Sequence, residues 1–288
     1  MLEAPVSRSF GATPRLYPRP KYPAFSEVLK VQLKAVLLES ALWGTLTCYV
    51  LQPSYLECVS YLQKDVGLSD AAVFAVLISL SHTLLYTALN APFGFLDYWG
   101  IWQQRKLYRN GTSLSPSKKL IIETLIGAGV NQFLAFPAAV YYLYPTYLYF
   151  GLKPLDMALP SVSEVFLTMV CGHIFNDVTF YLTHRMFHTK ALYFLHKQHH
   201  SFGGTMGIAA EHANPIESVV ANVIPTAGGV LFFGCHNALC VIVWTLVRVQ
   251  QTCFAHSGYV FNNHILDTLG IAHSEEVIFH DHHHASNR

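Results

Sequence analysis

Long apolar stretches alternate with short polar ones along most of this chain. The apolar runs fall at about 35–52, 71–95, 120–152, 161–183, 216–234 and 236–255. A helix needs about 20 mainly apolar residues to cross the hydrocarbon core of a bilayer. The run "AAVFAVLISLSHTLLYTALNAPFGF" is long enough, and so is "SVSEVFLTMVCGHIFNDVTFYLT". The first run is interrupted by Glu39. The third contains Pro137 and Pro145; it is too long for one straight span and too short for two, and predicts a kinked or re-entrant pair. The last two form an apolar hairpin broken at "GCHN". The pattern predicts an all-α, multi-span helical membrane protein. It has a polar, Pro-rich flexible tail over 1–30, without the apolar core of a signal peptide, and a single membrane domain over 31–288.

Composition strengthens that reading. Of 288 residues, 52% are hydrophobic and 12% charged, half the charge of an ordinary soluble domain, about 25%. Mean hydropathy is +0.32. A net charge of +1 with no basic face excludes a nucleic-acid partner. The six cysteines include no CxxC pair and sit mostly in apolar runs, as small hydrophobes do. Charge also orients the chain. The 98–119 loop holds Arg105, Lys106, Arg109, Lys118 and Lys119, whereas 53–70 holds Lys64 among Glu57, Asp65 and Asp70. The positive-inside rule makes the former cytoplasmic. Counting spans onward puts residues 184–200 and 280–284 on that same side.

Those two segments carry the chemistry. Fifteen of the sixteen histidines lie between 173 and 284, with His82 alone outside. "HRMFH" places His184 and His188 one helical turn apart. "HKQHH" is HxxHH and puts His196, His199 and His200 on one face; "HDHHH" does the same for His280, His283 and His284, leaving His282 off it. His256 ends the last apolar run. Imidazole is a good donor to iron, zinc or copper. Eight or nine of them exceed the coordination of one ion, so the pattern predicts a di-metal site on the cytoplasmic rim. Neutral ligands leave such a site positive, and carboxylates are expected behind the imidazoles: Asp177, two turns before His184, with Glu211, Glu275 and Asp281 as further candidates. His82, His173 and His236 read as packed polar residues, and His273 has no assigned role.

Together the boxes resemble the fatty acid hydroxylase superfamily of membrane di-iron oxygenases, with the sterol C4-methyl oxidases as the nearest branch. "DVTFYLTHRMFH", "HKQHHSFGGTMGIAAEHANPIE", "AHSGY" and "FHDHHH" carry the resemblance, which covers about 95–288. His212 stands where the family commonly has Tyr, Asn214 where it has His, and Asn176 where an acid is frequent; relatives usually continue past Arg288, so a C-terminally shortened or divergent chain is expected. The resemblance implies two iron ions, replaceable by zinc on overexpression, and O2 as co-substrate. It also implies a lipid substrate and electrons from cytochrome b5 or a similar donor with its NAD(P)H-linked reductase, at the endoplasmic reticulum membrane. Its catalytic and metal-binding residues map onto His184, His188, His196, His199, His200, His256, His280, His283 and His284. Some members carry a further histidine shortly after the His256 position. Val260 takes that place here, and His264 is the nearest substitute for a weaker ligand. The substrate implied is a 4-methylsterol, with a fatty acyl chain or another sterol position as alternatives. A histidine-rich metal transporter is the rival from another class; its ligands would sit within the spans, near the midplane. A lipid-binding relative without turnover is a third reading.

Overall fold

The structure is a computed structural model that describes residues 25–107, 116–155, 159–204, 206–233 and 236–286. Among these residues every regular element is helical. Helix α1 (Phe25–Leu46) passes through a π-turn into α2 (Gln52–Ser60). Then come α3 (Asp70–Trp99), α4 (Lys118–Val130), α5 (Phe136–Tyr149) and α6 (Val162–Phe187). The short α7 (Tyr193–His196) and α8 (Pro215–Glu217) precede α9 (Ile224–Phe232) and α10 (Ala238–Ser257); α11 (Ile265–Thr268) and α12 (Ser274–Ser286) follow. The starts are written in side chains that accept orphan helix N–H groups. Ser69 caps α3, Ser117 caps α4, Asn237 caps α10, and Ser161 with Glu164 forms a capping box on α6. Gly100 (φ 63°) and Gly258 (φ 71°) end α3 and α10 in the left-handed region that favours glycine.

Among the described residues, five stretches are long and apolar enough to cross a membrane: 70–99, 118–149, 162–187, 215–232 and 238–257. Their outward faces stay apolar, with Leu84, Ile126, Phe133, Leu134, Ile174 and Val178 exposed, as lipid requires. Two expectations change. The first apolar run is not one of the five. Helix α1 begins at Phe25, inside the expected tail, and carries Lys30, Lys34 and the fully buried Glu39. Residues 118–149 form one continuous rod rather than a re-entrant pair. Pro137 lies inside this continuous helix directly after a π-bulge at Asn131–Ala135, whose shifted hydrogen-bond register accommodates its missing N–H. The N-terminal tail up to residue 24, Arg109, Cys235 and Arg288 lie outside the described residues.

Helix α10 is the axle. Nearly every residue along it is buried, and it packs on α3, α6 and α12. The ends of α3 and α10 are tied together. Lys106 Nζ donates to Ser257 O (2.9 Å) and reaches Asp97 (2.7 Å), and the Tyr259 hydroxyl donates to Asp97 (2.9 Å). These helices therefore finish at one end of the bundle. Glycine permits a close backbone approach between α6 and α9: a Cβ on Gly229 would lie 2.9 Å from the Cys171 carbonyl and 3.0 Å from Gly172 Cα. Small residues let membrane helices touch backbone to backbone. Gly229→Ala should therefore destabilise the fold by about 1–3 kcal/mol, read as a lower unfolding midpoint in detergent; an unchanged midpoint would contradict this packing.

Candidate metal centre

Helix α6 delivers His184, with His188 as its C-cap residue. α7 delivers His196, and a following 3-10 turn delivers His199 and His200. α10 contributes His256 from its last turn, and α12 contributes His280, His283 and His284. All nine side chains converge in two groups. The first holds His184, His188, His196, His200 and His283; the second holds His199, His256, His280 and His284. In the first, Nε2–Nε2 separations are 2.9 Å (His184–His283), 3.1 Å (His188–His283 and His196–His188) and 3.0 Å (His200–His196). In the second they are 2.8 Å (His280–His256), 3.1 Å (His284–His280) and 3.5 Å (His256–His199).

Such convergence fits a metal. Bonds of ~2.0–2.1 Å to imidazole set ligand nitrogens roughly 2.8–3.4 Å apart around one ion. Without a cation between them, neutral rings would turn lone pairs on one another. Two Nδ1 atoms are already engaged: His196 Nδ1 lies 2.7 Å from Glu217 Oε1, and His256 Nδ1 donates to Thr252 O at 2.8 Å. A proton held on Nδ1 leaves the Nε2 lone pair free for the ion.

Where the spacing predicts one shared face for each HxxHH box, the structure divides the box between groups. His196 and His200 enter the first and His199 the second; His280 and His284 enter the second and His283 the first. At about 100° per residue, positions i and i+4 lie ~40° apart, while i+3 falls ~100° from i+4. Each box thus straddles two points, and the two boxes exchange their middle histidine. His282 belongs to neither group.

Three further positions differ from expectation. His264 lies outside both groups: its Nδ1 accepts from Leu266 N (3.3 Å) as the cap of α11, and its ring packs on Trp102 and Phe261. Glu211 meets no ligand imidazole; its Oε1 accepts from Gln132 (2.9 Å) and lies 3.5 Å from His82. Asp177 takes the Asn176 amide (3.5 Å) rather than His184. A carboxylate that does back a ligand is Glu217. Its signal was present in "NPIE": Asn214 caps α8, Pro215 starts it, and Glu217 ends it facing His196. A second carboxylate supports the cluster from farther away. The fully buried Glu39 lies 3.1 Å from His173 and 2.9 Å from His273, just before α12. Burial opposes a charge on His273, but the Glu39 hydrogen bond and the charges of Glu276, Glu39 and Asp267 together outweigh it and raise His273 to about 9. The resulting ion pair pins the entry of the helix that carries three ligands.

A cavity of about 550 Å³ runs among α3, α5, α6, α9 and α10. Its walls are largely apolar, among them Ile78, Val140, Leu143 and Val230, and it reaches His184, His199, His256, His280 and His283. That volume lies within the ordinary range for small-ligand sites.

An apolar bundle with imidazole-lined clusters at one end and a largely apolar cavity opening on them is suited to a membrane metalloenzyme that acts on an apolar ligand. Comparison points to a family of oxygenases and hydroxylases: residues 169–288 match the model of the fatty acid hydroxylase family. The chain is 28% identical to methylsterol monooxygenase 2-2 of Arabidopsis thaliana, over 75% of this chain and 78% of the relative. It is 26% identical to the C-4 methylsterol oxidase of Candida albicans, over 67% and 63%. It is 25% identical to the very-long-chain aldehyde decarbonylase GL1-11 of Oryza sativa subsp. japonica, over 73% and 76%. No solved structure matches it.

Two outcomes follow from the site. Glu217→Gln should weaken metal retention by about 10–100-fold, measured by competition with a chelator; unchanged retention would mean that Glu217 does not orient His196. Acid should undo the metal-free protein. Burial, then the neighbouring histidines, hold His188 down to about 4 and His200 to about 3, below the ordinary 6.5. The unfolded chain therefore takes up protons first, so the stability these rings contribute is complete above about pH 6.5 and falls as the pH drops toward 4 and then 3. The unfolding midpoint of metal-stripped protein should decline across that window, and a flat midpoint would contradict the assignment.

Proposed function

We propose that the chain is a di-iron lipid oxygenase of the endoplasmic reticulum membrane. In this reading it inserts one oxygen atom from O2 into an unactivated C–H bond, with the methyl carbon of a 4-methylsterol as the preferred target. The observation that carries the reading is the convergence of nine Nε2 atoms in two groups beside an apolar cavity. The names of the Arabidopsis and Candida relatives support the sterol. The reaction consumes two electrons and two protons and releases the second oxygen atom as water. Electrons would come from cytochrome b5 or a similar carrier and its NAD(P)H-linked reductase, docking on the side where the clusters lie, which the charge bias makes cytoplasmic. Iron held by the two groups would supply the redox chemistry, and zinc would occupy the same nitrogens after overexpression.

The protein's own residues do the rest. Nine histidines hold neutral nitrogens in fixed positions, and Glu217 and Thr252 keep the protons of His196 and His256 on Nδ1. The cavity walls exclude water and hold the lipid, which enters from the bilayer, against the cluster. Residues 31–288 would act as one unit, since ligands come from both its middle and its end. The clusters gather at the ends of the spans and not at their middles, a placement that favours this reading over a metal transporter.

Purified protein should contain about two metal ions per chain, because more than six imidazoles need two centres. Supplied with iron, O2 and electron carriers, it should convert a 4-methylsterol to an oxygenated product seen by mass spectrometry. His188→Ala, His256→Ala and His283→Ala should abolish turnover, and His282→Ala should retain most of it. Metal-free folded protein, or a dead His282→Ala beside an active His283→Ala, would overturn the assignment. Product from a fatty acyl chain and none from the sterol would move the substrate.

A further inference from the structure

One polar cluster faces the cavity and takes no part in holding metal. It consists of His82 on α3, Gln132 and Asn131 in the π-bulge between α4 and α5, and Glu211 at the end of the 207–211 turn. His82, Asn131 and Glu211 line the same cavity that reaches His199, His256 and His280. The elements are built to meet. The Tyr86 hydroxyl donates to Ile208 O (3.2 Å), and a Cβ on Gly207 would come 2.1 Å from Asn90 Oδ1, so only glycine lets the turn lie directly on α3. His82 is held by its neighbours, stacked with Tyr86 at 6.3 Å and tilted on Phe136 at 4.8 Å.

Within this cluster one donor–acceptor pair is incomplete. Glu211 Oε1 accepts from Gln132, but Glu211 Oε2 and His82 Nδ1 are buried and make no well-formed hydrogen bond among the described residues. Buried polar groups are normally paired, and each one left unpaired costs stability. Burial, opposed by the Gln132 and Asn131 amides, raises the Glu211 carboxyl to about 7. A carboxylate ligand would be repelled by it, and a cation would pay heavily for entering an apolar cavity. A ketone accepts only. A hydroxyl both donates and accepts, and so matches both open atoms.

We propose that His82 and Glu211 form the anchor for a hydroxyl group of the lipid, which donates to one of the two open atoms, Glu211 Oε2 and His82 Nδ1, and accepts from the other. This rests on the oxygenase reading above and narrows its substrates to lipids that carry a neutral hydroxyl. Losing that group leaves both protein atoms unpaired, which is why such a site discriminates strongly against the analogue without it.

The test is a binding measurement on the full-length, iron-loaded protein in detergent. A tritiated 4-methylsterol with its ring hydroxyl is displaced by the unlabelled sterol or by the same sterol lacking the hydroxyl. Wild type should prefer the hydroxylated competitor by about tenfold. His82→Phe, which keeps a ring in the stack, and Glu211→Leu should each bring the two competitors to within about twofold while iron content stays unchanged. Equal affinity of both competitors for wild type, or the full preference retained in a folded variant, overturns the anchor. If Glu211→Leu loses its iron, His82→Phe decides. Discrimination without any oxygenated product would leave the anchor standing and remove the oxygenase reading; turnover without discrimination would do the reverse.

Discussion

Nine neutral imidazoles aimed at two points make an arrangement that holds only under narrow conditions. Each ring must stay unprotonated, which burial enforces at His199 and His280, held well below their ordinary values by desolvation and by the other histidines. Each must also present the same nitrogen, which a hydrogen bond at Nδ1 secures for His196 and His256. With no carboxylate in either group, the charge of bound ions would be left to groups behind the ligands. Glu217, against His196, is such a group.

Much of the fold serves that convergence. Ligands come from four separate segments, so the ends of α6, α10 and α12 must meet at one end of the bundle. The Lys106–Asp97–Tyr259 contacts tie the end of α3 to the chain leaving α10, and Glu39 with His273 fastens the start of α12 to α1. A buried ion pair contributes little net stability, but removing one partner strands a buried charge. It therefore specifies position more than it stabilises. The π-bulges have a related effect. Those at Asn131–Ala135 and Ser218–Val223 lie along the cavity, where an extra residue in the turn redirects Asn131, Ser218 and Asn222 toward it.

The cavity joins two kinds of chemistry within one apolar space. At its cluster end the walls offer metal-binding nitrogens. Elsewhere they offer His82 and Glu211, whose open hydrogen-bonding atoms suit a neutral polar group. A largely hydrocarbon ligand held at one polar point and lying against the cluster would present a restricted set of carbons to it, and selectivity on an otherwise featureless hydrocarbon needs such a restriction.

Hydrophobic periodicity, the low charge content and the spacing of the boxes were enough to indicate helical spans, a shared side for the two clusters and eight of the converging histidines, with His256 indicated by its place at the end of an apolar run and His264 expected in error. These are local properties: a run of apolar residues or an i, i+4 pair has the same meaning wherever the chain goes next. The division of each HxxHH box between two groups was not legible, because it depends on which helix faces which direction 100 residues away. Nor was the choice of carboxylate. Asp177 stood two turns from a ligand in sequence, yet Glu217 reaches His196 because a capped turn brings it back across 21 residues. His82 looked like a packing residue, and only the approach of the 207–211 turn to α3 set Glu211 beside it. Contacts between distant segments are fixed by packing, through glycines that permit close approach and buried pairs that choose among arrangements, and packing has no local signature in the chain.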